Sequence, residues 1–498
     1  MVTIHANQDD NLPLSTEIET TPDASSLVHG DSFAPAISSN GRFIVFISRA
    51  ADLVATLPNT CRGFEGIFYN CANVFLYDRQ QEKLQLVSLG IDGQSANGDT
   101  DSPAVSDDGQ WVAFTSEATN LVVEAKGLPG LFLADRQNGR IQFIAPSGRE
   151  PSLSADGRFL VYIAGSSPAK VYLYDREIGK SQLISQGWEG QTADGDSIAP
   201  RMAANGRLIA FWSWASNLVP DDDEKCNEGA ALNSSCGDVY LFDLEASQVE
   251  RIAVGEGYGL GMGASFLSLS ADGNRLSYNC QIIDRQLSQV IADNRCGVLS
   301  ADGQFVMWQQ GADFFVAELA TDVVTQVSVT NAGVGSNGKW VDFASAFGSE
   351  SFQPGFGLSD QGRWTVFATT AVNLDPLDTQ ECHDALFPPH PCYDIYLHDQ
   401  ETGETTWISR PLAQTAVHST PTILATPEST LSPGLLTMLS VGGGVCSPCA
   451  CPVHPVPRLA YHVEPQPRWR AGQQQQRGSS PFSQRPFCGL CLLCREFG

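Results

Sequence analysis

Residues 151–185 read PSLSADGRFLVYIAGSSPAKVYLYDREIGKSQLIS, and this stretch sets the architecture of the chain. Four short apolar runs lie within it, at 152–154, 159–163, 171–174 and 181–185. Asp156-Gly157 joins the first two. That pair supplies the positive φ a two-residue hairpin turn needs, which glycine adopts freely and aspartate tolerates. Residues 175–180, with Gly179 near their end, join the last two. The pattern predicts a four-stranded antiparallel meander.

The unit recurs. Its turn is found at Asn40-Gly41, Asp108-Gly109, Asp156-Gly157, Asn205-Gly206, Asp272-Gly273, Asp302-Gly303 and Gln361-Gly362. Serine precedes most of these, as Ser38, Ser106, Ser154, Ser270, Ser300 and Ser359. An apolar second strand follows each turn, such as FIVFI after Arg42, WVAFTS from Trp111 and WTVFA from Trp364. The third strand has its own signature: NVFLYDR at 73–79, LFLADR at 131–136, VYLYDR at 171–176, DVYLFD at 238–243 and DIYLHD at 394–399. A fourth follows, as in LQLVS at 84–88 and TTWIS at 405–409.

Units repeated at this period stack or close radially. The second and third strands are apolar at nearly every position, the pattern of strands covered on both faces. A flat sandwich would leave one face wet and show alternation, whereas a propeller holds each blade between two others. The expected fold is all-β, a β-propeller of four-stranded antiparallel blades. Seven turns favour seven blades, with six or eight as alternatives. The unit at 265–292 is short, with a weak third strand at 281–285, and reads as a compact or degenerate blade. Residues 16–20 (TEIET) read as a fourth strand with no blade before it, available to close the last blade from outside. Residues 418–424 (HSTPTIL) read as the first strand of an unfinished unit. The chain therefore divides into an N-terminal segment (1–30), a propeller (31–412) and a tail (413–498) expected to be disordered.

With 498 residues, 42% of them hydrophobic, the chain can bury a large core. Its 46 glycines and 28 prolines suit a turn-rich all-β protein. A net charge of −27 repels DNA, RNA and anionic lipid, and leaves cations, basic peptides or neutral glycans as partners. No apolar run is long enough to span a membrane; 435–446 is short and broken by three glycines. A monomer is expected.

Among the fourteen cysteines, Cys61/Cys71, Cys226/Cys236 and Cys382/Cys392 share one spacing. Each pair falls between the second and third strands of its unit, where it can close a local loop as a disulfide. Cys280 and Cys296 bracket the weak strands of the fifth unit and make a fourth candidate pair. Zinc is the rival reading, but the spacing is too wide for a knuckle and no histidine recurs with it. Disulfides point to an extracytoplasmic setting: periplasmic, cell-surface or secreted. The start, MVTIHANQDD, shows no signal peptide, so the expectation is a start further upstream or a chain without its secretion signal. The tail carries CxxC pairs at Cys446/Cys449 and Cys491/Cys494, too far apart for a zinc ribbon and set in a composition that builds no core.

Ser-x-Asp-Gly-Arg before an apolar strand, then VYLYDR-x-x-x-Gly, resembles the repeat of the TolB-like, WD-repeat-like bacterial β-propellers, over about residues 16–412. The linkers GDS at 30–32, GDT at 98–100 and GDS at 195–197, with Asn-Leu-Val at 120–122 and 217–219, resemble secreted bacterial members of that group. The resemblance implies the fold and a binding role, but no one ligand. The Gly-His and Trp-Asp marks of eukaryotic WD repeats are missing, and the Asp-box of sialidase propellers is not matched.

Strand parity places the inter-blade loops and the cysteine loops at one end of the cylinder. That end carries Asp31, Asp99, Asp196 and Glu350, each just before a first strand, and the acidic run 221–224. These four are the candidate binding residues for a protein, peptide or glycan partner. Asp221, Asp223, Asn227 and Asp238 form a candidate calcium set, since oxygen ligands at alternating positions suit that ion; no other cofactor is expected. The main alternative is a propeller enzyme acting on polysaccharide. A carboxylate pair such as Asp99 and Asp196 would serve hydrolysis at a suitable separation. The lyases that resemble this repeat use clustered histidines with a metal, and units two to six here contain no histidine. No G-x-S-x-G elbow occurs. A third reading is a structural module of a larger surface protein.

Overall fold

The structure is a computed structural model. It describes residues 30–411 except 57, 63–67, 221, 223–224, 229–230, 236, 254–265, 340–354, 380 and 383–389. The candidate closing strand at 16–20, the unfinished unit at 418–424 and the tail lie outside the described residues.

Seven four-stranded antiparallel sheets follow one another, each hydrogen-bonded in the order in which the chain makes its strands. They are blade 1 (32–86), blade 2 (100–146), blade 3 (149–183), blade 4 (197–253), blade 5 (268–292), blade 6 (297–326) and blade 7 (356–407). Blade 3 is the stretch quoted above, with strands Arg149–Leu153, Phe159–Ala164, Lys170–Asp175 and Lys180–Leu183. Second and third strands are covered on both faces: Phe43–Ser48 and Asp394–Asp399 are buried at every position. The outer strand Lys83–Leu86 alternates exposed and half-buried residues, as a sheet rim should. Blade 5 is compact rather than degenerate. Its first strand has only two residues, Ser268–Leu269, but all four strands pair.

The core is a ring of interfaces between blades. Val45 and Val74 of blade 1 pack with Val112 and Phe132 of blade 2. Leu133 meets Leu160 and Tyr162 across blades 2 and 3. Ile163, Phe211 and Leu276 link blades 3, 4 and 5. Ile282 meets Val306 between blades 5 and 6, and Phe314 meets Phe367 between blades 6 and 7. The ring closes where Val366, Ile395 and Leu397 of blade 7 pack on Ile44 and Phe75 of blade 1. All four described strands of blade 7 come from 356–407, so among the described residues closure is side-chain packing plus a few bonds, with no shared sheet.

The turn between first and second strands differs from the two-residue hairpin expected. Only the glycine takes positive φ, 65° at Gly157, except in blade 7, where Gln361 does so as well. The bonds Gly157 N–H to Ser154 O and Ser154 N–H to Phe159 O make a four-residue loop instead. The Asp156 carboxylate accepts from the Ser154 hydroxyl (2.5 Å) and the Arg158 N–H (3.0 Å), and the Ser154 Oγ accepts from Phe159 N–H. Side-chain acceptors thus do what a tighter backbone turn would do. Glycine is also required by packing: a Cβ on Gly157 would sit 2.4 Å from Trp111 Cδ1 of the preceding blade. The Arg176 guanidinium covers the same ring at 4.2 Å, and Arg79 covers Trp364 at 3.7 Å. The Asp-Arg at the end of the third strand is therefore a staple to the previous blade.

Disulfides join Cys61 to Cys71, Cys280 to Cys296 and Cys382 to Cys392. The first and third close two-stranded hairpins, Thr60–Arg62 with Phe68–Asn70 and Glu381–Cys382 with His390–Pro391. Cys236 lies outside the described residues, so the Cys226/Cys236 pairing does too. No helix among the described residues is long and apolar enough to cross a membrane.

Arginine at the head of the second strand pairs with aspartate at the foot of the third: Arg42–Asp78 at 2.7 Å, Arg158–Asp175 at 2.9 Å, Arg207–Asp243 at 2.7 Å. Hydrogen bonds from these guanidinium groups hold the three carboxyls below the usual carboxylate range. A folded-state value lower than the unfolded one stabilises above the unfolded pKa, about 3.9, and that contribution disappears as pH falls through the folded value. Thermal midpoints are expected to hold level down to about pH 5 and to fall below about pH 4. The triple variant Arg42→Gln, Arg158→Gln, Arg207→Gln should show a shallower acid decline in melts followed by circular dichroism. An unchanged slope would remove these pairs from the account.

Candidate functional site

Each Gly-Asp-Ser/Thr linker is a latch onto the preceding blade. Glycine comes first because the chain runs against the end of its own blade's second strand; a Cβ on Gly98 would lie 2.6 Å from the Glu117 carbonyl carbon. The aspartate accepts the N–H just ahead of the previous blade's third strand: Asp31 from Tyr393 (2.9 Å), Asp99 from Ala72 (2.8 Å), Asp196 from Ala169 (2.6 Å). The Ser or Thr N–H then donates to a carbonyl there, as Ser32 to Tyr393, Thr100 to Ala72 and Ser197 to Ala169. The three candidate binding carboxylates do share one end of the cylinder, but each is engaged in holding two blades together. Asp31 is 1% exposed and also lies 3.2 Å from His390 Nε2. Asp99, 27% exposed, takes the Tyr69 hydroxyl (2.9 Å) and faces Arg49 (3.3 Å). Burial, then the Asp99 charge, pushes the Tyr69 phenol up. Glu350 lies outside the described residues.

Of the candidate calcium set, Asp221, Asp223 and the Asn227 side chain lie outside the described residues. Asp238 is buried 3.5 Å from the Arg251 guanidinium. Arg251 also reaches Asp222 at 2.8 Å, and Asp222 accepts the Tyr240 hydroxyl. Blade 7 repeats this core: Tyr396 donates to Asp378 (2.6 Å), and buried Asp394 accepts from Trp407 Nε1 (2.8 Å) and Ser409 (2.6 Å). Among the described residues, Asp31, Cys382 and His390 are the one group of metal-type side chains within 4.8 Å of each other, and the Cys382 sulfur is already in a disulfide.

The same end carries a second repeat that went unread in the sequence: GIDGQSANGDT at 90–100 and GWEGQTADGDS at 187–197. Each loop closes on itself, with Gly90 N–H to Gln94 O (2.7 Å) and Gly187 N–H to Gln191 O (3.0 Å). Each is pinned by the asparagine of an Asn-Leu-Val segment. Asn120 Nδ2 donates to Ser95 O and its Oδ1 accepts Asn97 N–H; Asn217 does the same with Thr192 O and Asp194 N–H. These loops present equivalent residues to solvent, Ile91 at 67% and Trp188 at 50% exposure. The cysteine hairpin of blade 1 adds Phe68 at 64%. Comparing the linkers over eleven residues instead of three would have found the loop.

The first strands of blades 1–4 carry another missed pattern. A residue in left-handed conformation precedes a proline: Ala34-Pro35, Ser102-Pro103, Glu150-Pro151 and Ala199-Pro200, with φ of 50–52° at the four leading positions. Each makes a bulge in the pairing with the second strand. With the first strands of blades 6 and 7 they line a central cavity of about 240 Å³, walled by Ile37, Val105, Leu153, Leu299, Phe356 and Leu358 among others. Among the described residues of that lining, Arg201 is the charged one. Glu150, 1% exposed, accepts the Ala199 N–H at 2.9 Å beside it. Burial pushes the Glu150 carboxyl up, opposed by the Arg201 charge; burial pulls the Arg201 guanidinium down, opposed by Glu150.

No family model matches the chain, and no curated protein does. Among solved structures it is similar to TolB from Acinetobacter baumannii (TM-score 0.36, 14% identity, 74% of this chain and 67% of that one). It is also similar to the β-propeller domain of the Trilobed protease from Pyrococcus furiosus (0.44, 10%, 77% and 99%). A third similar structure is oligogalacturonate lyase from Vibrio parahaemolyticus (0.41, 12%, 69% and 87%). At these identities the likeness concerns the fold alone. The class that can be stated is a seven-bladed β-propeller of four-stranded antiparallel blades.

Proposed function

We propose that the protein is a non-catalytic binding propeller of an extracytoplasmic setting, which takes a protein or peptide partner on the face formed by the inter-blade loops and cysteine hairpins. The observation that carries this reading is the pair of equivalent, pinned loops that hold Ile91 and Trp188 out in water. Large apolar side chains on braced loops are suited to act as anchors, because little freedom is lost when they are covered. The net charge of −27 favours a partner with basic residues around its apolar contacts. The disulfides support the compartment. The hydrolase reading needs two carboxylates turned to a substrate, and Asp99 and Asp196 each accept a neighbouring blade's N–H instead.

Selection from a displayed random-peptide library tests the reading. Enriched peptides should be apolar and basic, and the variant Phe68→Asp, Ile91→Asp, Trp188→Asp should bind them about 100-fold more weakly, an effect of hot-spot size. Peptides that bind the variant as well as the parent, or a selection that enriches none, would defeat it.

A further inference from the structure

The four bulged first strands follow one rule with two departures, and these fall on neighbouring blades, joined by the bond from Ala199 N–H to Glu150. At the left-handed position blades 1, 2 and 4 have Ala34, Ser102 and Ala199, whereas blade 3 has Glu150. After the proline, blades 1, 2 and 3 have Ala36, Ala104 and Ser152, whereas blade 4 has Arg201. A left-handed conformation is unfavourable for a glutamate, and a buried carboxylate loses hydration. The bulge itself needs neither charge, since blades 1 and 2 build it from small residues. A buried pair of opposite charges is also often no more stable than apolar residues of the same volume. The Arg201 charge is better explained by the cavity it lines.

We propose that the central channel is a binding site for a small carboxylate with an apolar body, gripped by the Arg201 guanidinium. This site is separate from the loop face proposed above. Arg201 is half-buried in the channel lining and turns Nη1 back to its own Pro200 carbonyl at 3.0 Å. Glu150, fixed by the Ala199 N–H, adds a negative charge on the blade 3 side that favours the charged guanidinium. A planar fork of N–H donors matches a carboxylate in two-point contact, and a low-dielectric wall strengthens that contact. The rest of the lining is mainly aliphatic or aromatic, including Leu153, Leu299, Phe356 and Leu358, and would receive an alkyl or aryl group. The cavity of about 240 Å³ equals roughly eight water volumes, room for about eight to ten non-hydrogen atoms.

Phenylacetate and hexanoate are the probes, with phenylacetamide as the uncharged counterpart, read by calorimetry and saturation-transfer NMR on the full chain. The expected result is one-site binding of both carboxylates, at least about tenfold tighter than the amide. Arg201→Gln should erase that margin. Arg201→Lys keeps the charge without the fork and should lose most of it, which keeps the test open if the glutamine variant fails to fold. The loop-face triple variant should bind phenylacetate as the parent does, so failure of the partner site and failure of this one are told apart. No carboxylate binding, equal affinity for the amide, or a margin unchanged in both Arg201 variants would overturn the proposal.

Discussion

Tyr396→Phe is expected to destabilise the protein by about 2–3 kcal/mol, and Tyr396→Phe with Asp378→Leu to return to within about 1 kcal/mol of the parent. Tyr396 is fully buried in blade 7, and its hydroxyl donates to the Asp378 carboxylate at 2.6 Å; Asp378 is itself 3% exposed. Removing the hydroxyl takes one bond away from a carboxylate that water cannot reach, so the cost comes from the group left behind. The chain already contains the repaired version. The residue at the Tyr396 position is Tyr240 in blade 4 and Phe75 in blade 1. The residue four places before the first hairpin cysteine is Asp378, Asp222 and Leu57 in the same blades. Tyrosine thus goes with aspartate, and phenylalanine with leucine. Denaturant midpoints of the two single variants and the double variant check this. A double variant whose loss is the sum of the singles would show that the two side chains do not act as a pair.

Asp31→Ala is expected to cost about 3 kcal/mol, more than Asp99→Ala, with Asp31→Asn in between. Asp31 joins blade 1 to blade 7 through Tyr393 N–H and His390. Among the described residues, ring closure rests there on packing, the Ser32–Tyr393 backbone bond and the bond from Asp360 N–H to Ser39 O, with no strand in common. Asp99 keeps more contact with water, which re-solvates what its removal would strand. The asparagine amide oxygen still accepts the Tyr393 N–H, but without charge. Hydrogen exchange should quicken first in blades 7 and 1. Equal stability of the two alanine variants, or exchange that quickens evenly around the ring, would contradict a closure latch.

The blade turns were legible because the residues that make them lie within about five positions of one another. Ser154, Asp156, Gly157 and Phe159 can be read as one unit, although the count of positive φ values was wrong: the serine and aspartate side chains replace part of the expected backbone geometry. The cysteine pairs were legible for the same reason, since Cys61–Cys71 and Cys382–Cys392 are each ten residues apart. The end of the cylinder that bears Asp31, Asp99 and Asp196 followed from strand parity. What those carboxylates touch did not follow, because their donors sit on other blades, up to 362 residues away for Tyr393 and Asp31.

The repeated pattern of apolar strands and serine-capped turns was therefore sufficient for a propeller of four-stranded blades, because each blade's own bonds are local; it favoured seven blades over six or eight, and the structure has seven. Only the closed ring decided that the linker aspartates are latches, and that Glu150 of one blade accepts the Ala199 N–H of the next. Those relations depend on the angle between neighbouring sheets, which is set by packing across the blade interfaces and has no signature in any short window of the chain.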